Sequence, residues 1–264
     1  GDRETCHPNI LGGVLILRNI VKGFLLILVS VVLVACGNGN GDDVTEENGD
    51  TTSNGRLAEL QEAGTVTVGF ANEAPYAYEE DGELKGAAVD IASAVFAELG
   101  VDNVEGELAD FGQLVTGVQS GQFDVVTAGM AITPERGENV LFGEPEMMYG
   151  EGLVVEAGNP HDLYSYEDIA ANPDVTVVVM EGATEIEFMR DSGVSDDQIT
   201  TAADIPATFS AIQAGRADVT TGTEMTVRMA LESADTDDIE IVEDFEQPDV
   251  EGNPSYGAAA FALE

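Results

Sequence analysis

The chain predicts an α/β fold in two lobes, with mostly parallel sheets and a cleft between the halves. Three features predict it. From residue 56 onward, short Val/Ile/Leu-rich runs alternate with longer segments of helical period, the pattern of strands joined by crossover helices. Residues 119–129, Gln-Ser-Gly-Gln-Phe-Asp-Val-Val-Thr-Ala-Gly, are echoed by 213–222, Gln-Ala-Gly-Arg-Ala-Asp-Val-Thr-Thr-Gly, with Gly121 answering Gly215 and Asp124 answering Asp218. In each copy a helix stops at a glycine suited to the left-handed C-terminal position, and an Asp-Val strand then enters a sheet. Finally, 264 residues with 44% hydrophobic content suffice for one large or two modest domains with real cores.

Taken in order, residues 1–35 read as a signal peptide. Arg18 and Lys22 precede an uninterrupted apolar stretch, Gly23 to Ala35. At about 1.5 Å per residue this stretch spans about 20 Å, short of a roughly 30 Å hydrocarbon core. The ending Leu33-Val34-Ala35-Cys36 resembles a lipoprotein lipobox, which implies a lipidated Cys36 as first residue of the mature chain and a Sec-type export route. An uncleaved signal anchor is the alternative. Residues 36–55 follow as a flexible acidic tether, rich in Gly, Asn, Asp and Glu, with Val44 its one sizeable apolar residue.

Beyond the tether, Arg56 to Ala63 reads as a helix, Val66 to Phe70 as a strand, and Tyr76 to Gly86 as a hairpin turning at Asp81-Gly82. Ala88 to Leu99 is an apolar-faced helix ended by Gly100. Further strands are expected at 104–108, 124–128, 151–156, 175–180, 217–221 and 239–242. The lobes are expected at 56–152 and 153–252, with 253–264 returning as a hinge strand to the first lobe.

Nine basic against 51 acidic residues give a formal −42 and exclude nucleic-acid or anionic-membrane binding through a basic patch. Removing residues 1–35 leaves six basic and 49 acidic residues, so the exported part carries all the acidity. Lys occurs only at Lys22 and Lys85, and the acids interleave with periodic apolar residues rather than forming a disordered block. That balance describes a globular domain with an acidic skin, adapted to high salt; an acidic mesophile protein is the alternative. Beyond Cys36 there is no cysteine, and neither His7 nor His161 has a metal-ligating companion. No nucleophile elbow, phosphate-binding loop or zinc spacing is present, so the chain reads as a binding module without metal or cofactor rather than an enzyme.

Two segments follow strands at their carboxyl ends: Phe70-Ala-Asn-Glu-Ala-Pro-Tyr76 and Thr127-Ala-Gly-Met-Ala-Ile-Thr-Pro-Glu-Arg136. With Gly86-Ala-Ala-Val-Asp90 and Gly158-Asn-Pro-His-Asp-Leu-Tyr-Ser-Tyr-Glu-Asp-Ile-Ala170, they resemble the family 3 solute-binding proteins of ABC importers, most of all the ectoine/hydroxyectoine-binding subgroup. The likeness covers roughly residues 56–262. It implies a type II periplasmic-binding-protein-like clamp that closes on a small zwitterionic solute and hands it to a membrane permease. Arg136 would take the ligand carboxylate, aided by the helix start at Gly182-Ala-Thr184 and by Gly129. Tyr76 and Phe111 would stack on a delocalised cation, and Glu73 would accept its N–H.

There are departures. At the subgroup's third aromatic position stands Ala131, so Met130 or an aromatic of the second lobe would have to complete the cage. Thr223 occupies the place where the amino-acid binders of the family hold an Asp for the α-ammonium, which favours a cyclic amidinium. Residues 150–157 and 256–263 resemble the two hinge strands. The family then adds helices to the first lobe, whereas this chain stops at Glu264, so a first lobe truncated at its C-terminus is expected. The sequence thus predicts a lipid-anchored, exported and monomeric receptor. A polar amino-acid binder, an exported dehydratase-like enzyme on the same clamp and a detached sensor domain remain as alternatives.

Self-repulsion among so many carboxylates weakens the compact state in dilute buffer, and molar salt, with a Debye length of about 3 Å, largely removes it. The melting temperature is therefore expected to climb as KCl is raised from dilute buffer into the molar range. Equal melting in both would reject salt adaptation.

Overall fold

The computed structural model describes residues 53–263. The segment expected to be a signal peptide, the expected lipidation site Cys36 and most of the expected tether lie outside the described residues. The first half of the fold runs α1 (Ser53–Ala63), β1 (Thr65–Phe70), β2 (Tyr78–Glu80), β3 (Glu83–Lys85), α2 (Ala87–Glu98), β4 (Asn103–Leu108), α3 (Leu114–Gln119), β5 (Val125–Val126), α4 (Pro134–Gly137), β6 (Val140–Phe142) and β7 (Met147–Tyr149). The second runs β8 (Glu151–Glu156), α5 (Tyr166–Ala171), β9 (Val177–Met180), α6 (Glu185–Asp191), β10 (Ile199–Ala202), α7 (Ile205–Gln213), β11 (Val219–Thr223), α8 (Glu224–Ala234), β12 (Ile239–Ile241), β13 (Ser255–Gly257) and β14 (Ala260–Ala262).

Two five-stranded sheets form the two lobes, ordered β4-β1-β5-β14-β6 and β10-β9-β11-β8-β12. The sheets are mixed rather than mostly parallel. In each, three strands pair in parallel, and the remaining ladders are antiparallel. The cause is the crossing between lobes. A strand that arrives directly from the other lobe enters at the cleft edge, where the parallel strands end, and so must run against them. β8 does this beside β11, and β14 does it beside β5.

The hinge also differs from expectation. Residues 150–157 do not cross between the lobes, because β8 lies wholly in the second sheet. The crossing is a separate two-stranded antiparallel ladder, β7 against β13, in which Ser255 faces Tyr149 and Gly257 faces Met147. Such three-residue strands carry too little periodicity to announce themselves in a sequence.

Packing follows the alternation of the strands. Val177 and Val179 of β9 point into one core cluster with Leu153, Val155 and Tyr166, while Val178 and Met180 point into another with Phe209, Ile212 and Val227. The second sheet is covered on both faces, which is why its inner strand β9, Val-Val-Val-Met, is a continuous apolar run. In the first sheet Val125 joins Val66, Val68 and Phe96 on one side, and Val126 joins Leu114, Phe123 and Met130 on the other. α2 contributes Ala88, Val89, Ala92 and Phe96 along one buried stripe.

The internal echo has a physical basis. The Asp124 carboxylate accepts the Thr67 N–H at 2.9 Å, and the Asp124 N–H donates to Thr67 O at 2.8 Å. Asp218 repeats both bonds with Thr176, at 2.7 and 2.9 Å. Each Asp thus pins the entry to its own strand, β5 or β11, to the neighbouring parallel segment, within β1 at Thr67 and just before β9 at Thr176. Hydrogen bonds to a charged group contribute about 1.5–3 kcal/mol. Asp218 is partly exposed and also faces His161 Nε2 at 3.4 Å, so Asp218→Ala is expected to cost about 1–2 kcal/mol in a denaturant titration. A change within experimental error would show that the bond does not stabilise the second sheet.

Candidate functional site

The carboxyl ends of β1, β5, β9 and β11 all point at the junction of the lobes, the place where open α/β sheets bind ligands. The β1–β2 connection is a tight turn in which Glu73 N–H donates to Ala77 O at 2.8 Å and Tyr76 N–H to Glu73 O at 2.9 Å. Gly86 locks this turn from below. Its φ is 127°, a Cβ there would lie 2.2 Å from Tyr76 O, and the following residues, Ala87 and Ala88, donate their N–H groups to Pro75 O and Tyr76 O. The Gly86-Ala-Ala motif therefore fixes Tyr76 and Glu73 at the cleft.

Arg136 stands on α4, a single turn capped by Thr133, whose side chain accepts the Arg136 N–H at 3.1 Å. Its guanidinium reaches both lobes. Nη1 donates to Ala131 O and Nη2 to Gly182 O, each at 2.8 Å, and its carbon lies 5.4 Å from the Phe111 ring centroid. Burial holds its pKa below the ordinary arginine value, with Tyr149, Glu185, Glu135 and Glu73 acting the other way.

Glu73, Tyr76, Phe111, Gly129, Arg136 and Thr184 all line one cavity, so the six residues singled out from the sequence are brought together. The cavity volume is about 30 Å³, room for about two waters. It adjoins a much larger cleft of about 940 Å³, and Glu73, Phe111 and Ile205 border both. The larger space is lined mainly by loop and helix surfaces, whereas the chemistry converges on the smaller one. Thr184 precedes α6 without capping it by its side chain, and its Oγ1 lies 3.5 Å from Glu185 Oε2.

The third aromatic is Tyr149, from the hinge strand β7. Its ring centroid is 5.5 Å from that of Tyr76, and its hydroxyl donates to Gly129 O at 2.6 Å. Met130 does not fill the cage, because it packs into the core of the first sheet, and no aromatic of the second lobe lines the cavity. Ala131 and Thr223 do line it. The sequence also gave no reason to single out Glu185 and Glu151, which are 4% and 2% exposed. In a chain with 51 acids, nothing in the spacing separates a buried carboxylate from a surface one.

Burial dominates the electrostatics. Glu73 is pushed up to about 8 by desolvation and by Glu185, with Arg136 pulling it down, and its Oε1 is sealed from solvent without a hydrogen-bond partner. Burial pushes the Tyr76 phenol up to about 12, and it raises Tyr149 as well. Among the described residues no group of three or more His, Cys, Asp or Glu could hold a metal ion, and no helix is long and apolar enough to cross a membrane.

Comparison with known proteins yields consistent matches. The model of the bacterial extracellular solute-binding proteins, family 3, matches residues 66–226. A probable amino-acid ABC transporter periplasmic-binding protein, y4tE, of Sinorhizobium fredii is 37% identical over 213 residues, 79% of this chain and 70% of that protein. The probable amino-acid-binding protein YxeM of Bacillus subtilis is 28% identical over 59% of this chain, and the match spans about half of YxeM, 53%. Among solved structures, EhuB in complex with hydroxyectoine superposes with a TM-score of 0.71 at 32% identity, covering 78% of this chain and 79% of that one.

Glu73 titrates higher in the folded chain than in the unfolded one, so its stabilising contribution is full below about pH 4.5 and is lost as the pH rises through about 8. The solute-free protein is expected to lose stability between about pH 5 and about pH 9, and Glu73→Gln to flatten that decline. Superimposable pH–melting profiles of the two proteins would mean that the carboxyl is solvated.

Proposed function

The chain belongs to the bacterial extracellular solute-binding proteins of family 3, which serve amino-acid-type ABC importers, and from this we propose that its pocket captures ectoine or hydroxyectoine, small zwitterions with a carboxylate and a delocalised ring cation. The bonding of Arg136 is the observation that carries this reading. Among the described residues Arg56, Lys85, Arg190 and Arg228 each pair with at least one carboxylate, yet both side-chain hydrogen bonds of Arg136 go to backbone carbonyls. In so acidic a chain, a guanidinium in the cleft without an ion-pair partner is suited to an incoming carboxylate, which its planar fork matches in two parallel bonds. The Nη2–H now donating to Gly182 O is the natural one to be shared with the solute.

The rest of the pocket fits the cationic end. Tyr76, Tyr149 and Phe111 supply aromatic faces, and Glu73 supplies an acceptor for a ring N–H. Thr223, where a carboxylate would be needed for a primary ammonium, weighs against ordinary α-amino acids, and the likeness to the hydroxyectoine complex points the same way. A polar amino acid is a second reading, favoured by the description of the Sinorhizobium relative. The receptor would be a monomer at the outer face of the membrane, held by lipid on Cys36 and delivering its solute to a permease.

Calorimetry in high salt with ectoine, hydroxyectoine, glycine betaine and a set of amino acids tests this. Arg136→Ala is expected to weaken the best solute by about 100-fold or more, about 2.7 kcal/mol. Undiminished affinity would remove Arg136 from the carboxylate role, and preference for compounds with a primary ammonium would select the second reading.

A further inference from the structure

The chain crosses between the lobes twice, and the crossings are held differently at their two ends. At the first-lobe end the β7–β13 ladder is continued by the loop that leads to Arg136. Ala131 bridges to Gly257, Ile132 N–H donates to Tyr256 O at 2.8 Å, and Ala258 N–H donates to Met130 O at 3.1 Å. At the second-lobe end the first crossing is a single residue, Gly150, between β7 and β8. The second is the pair Asn253-Pro254 before β13, since Val250 still packs against the core of the second lobe. The angle between the lobes is therefore set at these two places.

One side chain reaches from the approach to the second crossing onto the first. Gln247 lies in a segment docked on the second lobe: Glu246 N–H donates to Tyr164 O at 2.7 Å, and the Phe245 ring lies 5.4 Å from that of Tyr166. The Gln247 amide offers the donor and the acceptor of a peptide group. Glu151 N–H donates to its Oε1 at 2.8 Å, and its Nε2 donates to Glu151 O at 2.7 Å, the exchange that a neighbouring antiparallel strand would make. β12 ends its pairing with β8 at Val154, so Gln247 carries that ladder on to the first residue of β8. Its seat requires a glycine, because a Cβ on Gly150 would lie 2.6 Å from Gln247 Oε1. From α8, Glu224 N–H donates to Gly150 O at 3.0 Å.

We propose that Gln247 is a positioning residue of the solute site: it ties the approach to the second crossing to the first crossing, so that the two bend together and Tyr149 is held in register with the second-lobe wall of the pocket. Tyr149 immediately precedes Gly150, and Glu151 pairs with Thr223 of β11, whose residues Thr221, Gly222 and Thr223 line the cavity. A turn at Gly150 therefore moves one wall against the other. Without the tie each crossing bends separately, arrangements that cannot bind become populated, and the apparent affinity falls with the fraction that remains competent. That fraction is a property of the protein alone. Every solute then loses by the same factor, whereas a residue that touches the solute discriminates between solutes. The inference rests on the reading of the cavity as a solute site and adds to it the side chain that sets its geometry.

Gln247 is itself exposed, so its variants are expected to fold. In calorimetry of the full chain in high salt with ectoine, hydroxyectoine, arginine and glutamine, Gln247→Ala is expected to weaken every probe that binds by a common factor of about three to ten. Gln247→Met, which keeps the length and loses both hydrogen bonds, should do the same. Asp218→Ala, which loosens the second sheet at the end of β11 away from the pocket, should leave affinity within about twofold. Parent-like binding by either Gln247 variant, or losses that differ from probe to probe, overturns the assignment. So does an equal loss in Asp218→Ala, which would make the effect one of general stability. Should none of the four probes bind, the solute reading falls and the tie is judged by amide hydrogen exchange of the solute-free chain. There the Glu151 amide is expected to exchange about tenfold faster or more in Gln247→Ala, and an unchanged rate overturns the tie as well.

Discussion

The organisation of the cleft depends on one unneutralised guanidinium held where the lobes meet. Arg136 bonds to Ala131 O in its own lobe and to Gly182 O in the other, with the Phe111 ring as its third contact. Taking a cation out of water is costly unless polar groups surround it, and two carbonyls and a ring face meet part of that need without cancelling its charge. The remaining charge acts at short range through a poorly solvated medium, where it counts for far more than at the surface. Because one of the two carbonyls belongs to the opposite lobe, the position of Arg136 is complete only when the lobes are together. Solute capture and closure are thereby parts of the same electrostatic event.

Closure itself relies on the absence of side chains. A Cβ on Gly182 would lie 2.9 Å from Gly112 Cα, and one on Gly112 would lie 3.3 Å from Glu181 O, so the backbones of the two lobes touch beside Arg136 and Phe111. The hinge ladder of β7 and β13 lies between the sheets and also supplies Tyr149 to the pocket. The element that joins the lobes therefore contributes a wall of the site. A rotation about the hinge would move that aromatic face along with the two lobes, which couples the geometry of the cage to the degree of closure.

Much of this was legible in the chain, and what was not has definite physical causes. β1, α2 and the β2–β3 hairpin follow from apolar period and turn glycines, and the Asp124/Asp218 echo corresponds to a hydrogen-bond motif repeated in both sheets. The convergence of Glu73, Tyr76, Phe111, Gly129, Arg136 and Thr184 was anticipated from the resemblance to the family 3 solute-binding proteins that the strand-end motifs carry. The mixed sheets were not, because strand direction is decided by where the chain crosses between lobes and not by any local pattern. Tyr149 was missed because its strand is three residues long and lies in neither large sheet. Glu151 and Glu185 were hidden by composition, since their burial is a property of the tertiary fold and their type is the commonest charged type in the chain.

Two electrostatic regimes meet in the molecule. On the outside, exposed pairs such as Arg190 with Asp196 and Arg228 with Glu243 contribute little and are screened by salt, and the acidic skin tolerates compactness best where that screening is strong. In the cleft, Arg136, Glu73, Glu151 and Glu185 are largely withdrawn from mobile ions, so brine leaves their interactions nearly intact. A receptor that relied on long-range attraction would lose its solute in concentrated salt. One that relies on a dry site with fixed charges and aromatic faces loses only steering, a rate effect, and keeps its equilibrium affinity. The burial that raises the Glu73 carboxyl, and leaves its Oε1 without a protein partner, is thus the same burial that shields the interactions of the cleft from the surrounding salt.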